Sequence, residues 1–204
     1  MLIFIEGQDA TGKDTVANLL EKDLTSKNQE IIHYSESGTE SKNEFIKSIA
    51  ELNYKNDYGI DKKTRVLLYL VNRYEQWKKL AEPALKENKT VIITRNWFST
   101  LIYEGYGTGV SKNFITKIHH EIMPERYFNP DKIVILTLNE EERKKRLISQ
   151  GKRSEEFFKT KDYSFQQTIN KAYLDVAKKY NVPTLDAIGS PEEVLEKLKK
   201  LFQI

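Results

Sequence analysis

The residues with the clearest chemical potential form a glycine-rich loop near the amino terminus that ends in a lysine. The stretch reads GQDATGKDT and has the G-x-x-x-x-G-K spacing. Such a loop curls so that backbone N–H groups point at phosphate oxygens, while the lysine reaches the terminal phosphates and a helix start adds its positive dipole end. The residues predicted to hold the nucleotide are Gly7, Gln8, Asp9, Ala10, Thr11, Gly12, Lys13, Asp14 and Thr15. An ordinary glycine turn is the alternative.

One position of this loop departs from the usual pattern. The lysine is normally followed by Ser or Thr, whose hydroxyl binds Mg²⁺. Here Asp14 follows Lys13, and the hydroxyl comes one place later, at Thr15. Asp14 either stabilises the start of the following helix, where a carboxylate is favourable, or approaches the metal ion, and we favour the first interpretation. The loop as a whole predicts ATP and Mg²⁺ as ligands.

A second candidate group lies on a long amphipathic helix predicted over Arg65–Leu85. Apolar residues recur there at three- and four-residue spacing, which is typical of a helix with one buried face. Tyr69 and Arg73 are four residues apart and therefore share a face. An aromatic ring beside a guanidinium suits stacking on a base and holding its edge or its phosphate. A half-buried tyrosine with a solvated arginine is the alternative.

A third group follows Thr90–Thr94, a β-branched run of the kind that is buried in parallel sheets. Arg95 stands at the carboxyl end of this predicted strand, where open α/β sheets bind their ligands. An arginine there suits a phosphate clamp, with a plain ion pair as the alternative. Ser99 and Tyr103 are again four residues apart and either face the same pocket or pack in the core.

The elements that must position these residues alternate between strands and helices. The predicted strands are Leu2–Ile5, Glu30–Tyr34, Thr90–Thr94, Lys132–Leu138 and Val182–Leu185. The predicted helices are one that includes Val16–Leu20, then Arg65–Leu85, Phe165–Tyr180, and a last helix that begins at Ser190 with a capping box. This order predicts an α/β fold, a doubly wound parallel sheet flanked by helices, in a single domain over residues 1–204. The polar stretch Ser35–Asp61 carries no clear pattern.

Composition narrows the class of protein. The chain has 204 residues, 33 basic against 30 acidic, for a net charge of +3. A nucleic-acid-binding protein usually carries a larger or more clustered basic excess, so no nucleic-acid partner is expected. There are no cysteines, which suits a reducing cytoplasm. No apolar stretch approaches the roughly 20 residues that a membrane span needs.

Several blocks together resemble the thymidylate kinases, a family of P-loop nucleoside monophosphate kinases. Phe4–Thr15 is similar to the start of that family, which tolerates G-K-x-T. Three further blocks match in order. The first, Leu67–Arg73 with Pro83–Leu85, resembles the family pattern L-L-F-x-A-D-R…P-A-L. The second, Thr94–Gly105, resembles D-R-Y-x-x-S-x-x-A-Y-Q-G. The third, Pro130–Leu138 with Asp186–Val194, resembles the later strands and the terminal helix.

The resemblance implies a P-loop NTPase fold and ATP- and Mg²⁺-dependent phosphoryl transfer to a deoxynucleoside monophosphate, with dTMP to dTDP as the first expectation. It also implies a homodimer. The implied roles are Lys13 on the donor phosphates, Asp9 at Mg²⁺ or the acceptor phosphate, Thr15 at Mg²⁺, Tyr69 and Arg73 on the acceptor base, Arg95 on the acceptor phosphate, and Ser99 and Tyr103 along the nucleoside pocket.

Arginines in the segment after the fourth predicted strand complete the candidate set. Arg143 and Arg146 lie within Glu140–Ser149, and Arg153 follows, although Arg146 could simply pair with the residue four positions before it. Related kinases carry a mobile arginine-bearing lid at this position, so the resemblance implies a short helical lid over residues 143–160. Positions 10 and 11 of the phosphate loop hold no arginine. Arg146 and Arg153 are therefore predicted to be catalytic, and Arg143 to bind ATP.

The chain also departs from the family pattern on the acceptor side. The family usually carries R-E-P-G-G-T after its second strand, where this chain has SESGT over residues 35–39. Thr94 and Asn72 stand where acidic residues are usual, and Glu104 replaces a glutamine. ATP binding is thus more firmly predicted than thymidylate as acceptor.

Two alternatives stay open at the level of sequence. A deoxynucleoside kinase must deprotonate a 5′-hydroxyl, and Glu36, just past the second predicted strand, could be its base. Glu36 is thereby also a candidate substrate-binding residue. The other alternative is a nucleotide-binding protein without catalysis. A monophosphate acceptor, in contrast, needs no strong base because its phosphate is already ionised.

Overall fold

The fold is built around one parallel sheet. The computed structural model describes residues 1–54, 59–149, 151 and 161–204. Its strands are β1 (Leu2–Gly7), β2 (Ile31–Ser35), β3 (Thr90–Thr94), β4 (Lys132–Thr137) and β5 (Thr184–Asp186), in the order β2-β3-β1-β4-β5. All four neighbouring pairs run parallel. The carboxyl ends of all the strands therefore meet at one edge.

Helices connect the strands. They are α1 (Lys13–Ser26), α2 (Glu44–Tyr54), α3 (Lys62–Gln76), α4 (Glu82–Lys86), α5 (Trp97–Thr100), α6 (Lys112–Ile122), α7 (Glu125–Phe128), α8 (Glu140–Ser149), α9 (Lys161–Lys179) and α10 (Pro191–Phe202). A π-helical turn, Trp77–Ala81, joins α3 to α4, and a second one, Leu101–Gly107, extends α5.

Alternate residues of each strand face two separate cores. Leu2 and Phe4 pack on one side of the sheet with α3, α5, α6 and α9, whereas Ile3 and Ile5 pack on the other side with α1 and α10. Both faces of the central strand are buried. This explains why β1 is a continuous apolar run rather than an alternating one.

The predicted doubly wound sheet and its five strands are confirmed, with ends that differ by one or two residues. The capping box at Ser190 is also present, with both of its hydrogen bonds. The long helix predicted over Arg65–Leu85 is instead interrupted: the Glu82 N–H bonds back five residues, to the Trp77 carbonyl. Pro83 follows directly and cannot donate a backbone hydrogen bond, so the helix widens where it enters this proline. Helix α6 was not predicted.

Among the described residues, no helix is both long enough and apolar enough to cross a bilayer.

Candidate active site

The phosphate loop connects β1 to α1 at the carboxyl edge of the sheet. Gly7 has φ +152°, and a Cβ there would lie 2.8 Å from the Leu136 carbonyl oxygen, so the position needs glycine. Gly12 adopts a left-handed conformation, φ 84°, directly before α1. The backbone therefore bends around an open cradle ahead of the helix N-terminus, the geometry that phosphate binding requires.

Lys13 is the buried cation of this loop. Only 4% of its side chain is exposed, and its Nζ lies 3.6 Å from Asp9 Oδ1 and 3.5 Å from Asp14 Oδ2. Burial and the nearby charge of Arg95 lower the pKa of Lys13, against the opposing effect of the two carboxylates. Two carboxylates thus neutralise a lysine that is otherwise poorly solvated, and it is available to bind phosphate oxygens.

Asp14 lies beside the end of β3 as well as beside the lysine. Partial burial raises the pKa of its carboxyl, but the charge of Lys13 and the nearby Thr94 hydroxyl lower it by more, so the net pKa is below its ordinary value. Thr94 is fully buried and its hydroxyl makes no well-formed hydrogen bond within the described residues. The hydroxyl therefore acts on Asp14 as a neighbouring dipole.

Arg95 and Asp9 join the loop to β3. The register pairs Ile5 with Thr94, so Arg95 leaves the sheet alongside the beginning of the phosphate loop. Its Nη2 donates to Asp9 Oδ1 at 2.6 Å. Arg95 has φ 67°, a conformation that is uncommon for residues other than glycine and that directs the chain away from the strand. The ion pair named as the alternative for Arg95 is thus present, and it borders the candidate site.

Glu6 organises this edge, and the sequence analysis did not single it out. It is fully buried, and its carboxylate accepts hydrogen bonds from the backbone N–H of Gly7 and of Asn96, at 2.9 and 2.8 Å. The hydroxyls of Ser99 and Tyr173 also donate to it, at 3.0 and 3.1 Å. An acidic residue at the end of an otherwise apolar strand is the sequence signal that could have identified it.

A cavity lies against Asp9 and Arg95. Its lining residues are Asp9, Glu36, Ser37, Tyr69, Arg73, Arg95, Ser99, Thr100 and Tyr103. All six residues predicted to bind the acceptor are among them. The Tyr103 hydroxyl is buried without a hydrogen-bond partner within the described part of the chain, and desolvation raises the pKa of Tyr103. An aromatic ring, two arginines and several hydroxyls lining one cavity suit a nucleotide ligand.

Arg73 lies at this cavity in a fully buried polar network. Its Nε donates to Glu36 Oε2 at 2.5 Å, and the other Glu36 oxygen accepts from the Tyr127 hydroxyl at 2.9 Å. Burial raises the pKa of the Glu36 carboxyl, while Arg73 and Tyr127 oppose that shift. The alternative of a solvated Arg73 is wrong, because this guanidinium is held by an ion pair.

A second cavity lies on the other side of the phosphate loop. It is lined by Ala10, Thr11, Gly12, Thr15, Val16, Glu142, Arg146, Gly189, Pro191 and Val194. Arg146 donates through Nη2 to the Ala187 carbonyl at 2.9 Å, and its Nε contacts Glu142 at 3.4 Å. The ion pair predicted between Arg146 and the residue four positions before it, Glu142, is therefore present. The same arginine borders a cavity that has the phosphate loop as one wall.

Three comparisons with known proteins agree with this geometry. A family model described as thymidylate kinase matches residues 5–198. Thymidylate kinase of Aster yellows witches'-broom phytoplasma is 32% identical over 216 residues, which cover 100% of this chain and 99% of that protein. The Clostridium novyi thymidylate kinase is 29% identical over 199 residues, 97% of this chain and 95% of that protein. The chain belongs to the thymidylate kinase family.

A solved structure supports the fold independently. The crystal structure of thymidylate kinase from Ehrlichia chaffeensis superposes with a TM-score of 0.77 at 24% identity, covering 100% of this chain and 98% of that one. The predicted P-loop NTPase fold is thereby confirmed. Membership of the thymidylate kinase family makes the protein a nucleoside monophosphate kinase and does not favour the nucleoside kinase or the non-catalytic alternative.

One departure from the thymidylate kinase pattern has a structural explanation. Asn72 replaces the usual acid before Arg73, and its amide nitrogen lies 3.4 Å from the Glu36 carbonyl oxygen and 3.3 Å from that of Ser37. A carboxylate could not donate to those carbonyls. The amide therefore holds the loop after β2 against α3.

The side chains of the loop and the lid differ in how far they match their predicted roles. Gln8 donates through its side-chain amide to the Gln166 carbonyl, at 2.8 Å, and so ties the loop to α9.

Arg143 is buried in α8, donates to Glu140 at 2.9 Å and lines neither cavity. This position does not favour its predicted contact with ATP. Arg153 and most of the predicted lid, residues 150 and 152–160, lie outside the described residues, so those predictions stay predictions.

Proposed function

We propose that this protein transfers the γ-phosphoryl group of ATP to dTMP, giving ADP and dTDP. One observation carries the proposal: Asp9 belongs to the phosphate loop and also lines the cavity that holds Tyr69, Arg73 and Arg95. A monophosphate in that cavity would present its phosphate to Arg95 and its base to Tyr69 and Arg73. The reacting phosphates would then meet beside Lys13.

The second cavity suits the nucleoside part of ATP. Its walls lie on the far side of the loop from the acceptor cavity, and Gly12 and Arg146 lie next to each other in its lining, since a Cβ on Gly12 would be 3.7 Å from Arg146 Nη1. An ATP molecule that spans the loop would place its adenosine there and its phosphates over the backbone N–H groups and Lys13. A guanidinium suits stacking on an adenine ring, so we assign Arg146 to ATP binding rather than to the predicted catalytic role.

Mg²⁺ fits the oxygen groups at the loop. Asp9 is half-exposed, and Thr15 is exposed at the second cavity. A carboxylate and a hydroxyl, together with ATP oxygens, form the kind of donor set that Mg²⁺ prefers. Asp9 and Thr15 would hold the ion, which supplies charge neutralisation on the donor phosphates when bound.

The chain's own residues contribute position and charge. An oxygen of the acceptor phosphate attacks the γ-phosphorus, the bond from that phosphorus to the β,γ-bridging oxygen breaks, and ADP leaves. Arg95 would hold the attacking phosphate and Lys13 the donor oxygens, so that both lie in line. The reaction requires no general base. Both Glu36 oxygens already accept hydrogen bonds, from Arg73 and Tyr127, which argues against Glu36 as a base for a nucleoside hydroxyl.

We also propose that the protein forms a homodimer through α2 and α3, which pack against each other. Large apolar side chains on these helices are exposed, and on α3 they recur at four- and three-residue spacing. They are Phe45, Leu52, Leu67, Val71 and Tyr74. Sedimentation velocity should show a dimer that Leu67→Glu dissociates, whereas Leu174→Glu, at an equally exposed position on α9, should leave it intact. A monomeric wild-type protein would refute this assembly.

An ADP-release assay with Mg·ATP tests the activity across the common nucleosides and nucleoside monophosphates. We expect turnover on monophosphates with dTMP the best acceptor, and Lys13→Ala should abolish it. Lys22→Ala, an exposed lysine on the same helix, is the matched control. Turnover on nucleosides alone would contradict the proposal, and near-normal activity of Lys13→Ala would refute the role of the phosphate loop.

A further inference from the structure

The hydrogen bonds of Arg73 account for nearly all of its donors. An arginine guanidinium carries five N–H groups. The single one on Nε goes to Glu36, and Nη2 lies 3.0 Å from the Asn96 carbonyl and 3.3 Å from the Thr100 hydroxyl. Nη1 contacts His119 Nε2 at 2.7 Å. Within the described residues, this leaves one N–H, on Nη1, for a ligand in the cavity that Arg73 lines.

The partner of Nη1 can only be a neutral histidine. His119 is fully buried on α6, and its Nδ1 lies 2.7 Å from the Ile115 carbonyl oxygen. A carbonyl accepts but does not donate, so Nδ1 carries the hydrogen and Nε2 offers a lone pair to Arg73. Burial and the charge of Arg73 also lower the pKa of His119 to about 3, which keeps the ring neutral.

We propose that His119 is a positioning residue for the acceptor base: it fixes the Nη1 end of Arg73 so that the remaining N–H meets the carbonyl edge of the base. This inference rests on the proposed function. The keto oxygen at position 4 of thymine accepts a hydrogen bond, whereas the amino group of cytosine at that position donates one. An oriented Arg73 thus favours thymine over cytosine. Without the His119 contact the Nη1 end would lose its only protein partner among the described residues, and its N–H groups would point less sharply at the base even though Glu36 and the two Nη2 contacts remain.

Two variants separate this role from a general loss of structure. His119→Leu removes the acceptor, and His119→Gln keeps an oxygen near the place of Nε2. With His119→Leu we expect KM for dTMP to rise about 10-fold, the worth of a hydrogen bond to a charged group, with kcat and KM for ATP little changed. The preference in kcat/KM for dTMP over dCMP should fall by a similar factor. His119→Gln should recover most of both effects.

The outcomes separate failure of this inference from failure of the proposed function. If wild type phosphorylates dTMP and His119→Leu keeps both its KM and its preference over dCMP, the positioning role is wrong. It is equally wrong if His119→Gln is as impaired as His119→Leu while the thermal unfolding midpoints of both match wild type. If His119→Leu does not fold, the kinetics of His119→Gln decide. A near wild-type preference of His119→Gln for dTMP over dCMP supports the positioning role, and loss of that preference in a stably folded His119→Gln refutes it. Absence of dTMP turnover in wild type would refute the proposed function itself.

Discussion

Asp9 Oδ1 lies 2.6 Å from Arg95 Nη2, so the phosphate loop and the carboxyl end of β3 are joined by an ion pair. The same oxygen lies 3.6 Å from Lys13 Nζ. One carboxylate therefore contacts both cations to which we assign the phosphates, Lys13 for the donor and Arg95 for the acceptor. Because Asp9 contacts both, the start of α1 and the end of β3 are held together at the edge of the sheet.

Arg95→Ala should lower kcat/KM for dTMP by roughly 100-fold or more, because a charged contact to the reacting phosphate is lost. ATP affinity, measured by calorimetry, should stay nearly intact. Arg95→Lys keeps the charge but not the two-pronged geometry and should fall between wild type and Arg95→Ala. Loss of ATP binding with retained acceptor binding would place Arg95 on the donor side instead.

The residue after the lysine usually carries a hydroxyl and the residue before the arginine usually carries an acid. In this chain the two groups are exchanged: Asp14 follows Lys13, and Thr94 precedes Arg95. Thr94→Asp alone should be strongly impaired, because two neighbouring carboxylates repel. Asp14→Ser alone should lower turnover, because Lys13 loses one of the two carboxylates that neutralise it. The double variant, which exchanges the groups, should recover activity, with a coupling of about 1 kcal/mol or more in a double-mutant cycle. Additive effects would show that the two sites act independently.

His119 makes the free energy of unfolding depend on pH below about 6.5. Its pKa is lowered to about 3 from 6.5, so between these values the unfolded chain binds a proton that the folded chain does not. Stability should therefore fall as the pH drops below 6.5. Denaturant unfolding should show that wild type loses about 2 kcal/mol more than His119→Gln between pH 6.5 and pH 5. Equal losses would mean that His119 is not buried as a neutral ring.

Arg146→Ala should raise KM for ATP several-fold while kcat and KM for dTMP change little, because Arg146 lines the cavity assigned to the adenosine. Lys145→Ala, a neighbour that is 75% exposed, is the matched control and should behave like wild type. A large fall in kcat with unchanged KM for ATP would instead restore the catalytic role predicted from the sequence.

Local patterns were sufficient to predict the sheet and the phosphate loop. β-branched runs gave the strands because their side chains are buried on both faces, and the glycine spacing located the loop. Glu6 was missed because it looks like the end of an apolar strand, and three of its four donors come from distant segments. His119 was also missed, because its partner Arg73 lies 46 residues away in the chain and its helix, α6, was not predicted. Long-range polar partners leave no spacing signal.

Transfer of the γ-phosphoryl group to a monophosphate is the step that defines the proposed function. Wild-type protein would be incubated with Mg²⁺, ATP labelled in its γ-phosphoryl group, and either dTMP or thymidine, and the products would be separated by chromatography. We predict labelled dTDP from dTMP, no labelled dTMP from thymidine, and neither product with Lys13→Ala. Label that enters thymidine but not dTMP, or label found only in inorganic phosphate, would contradict the proposed function.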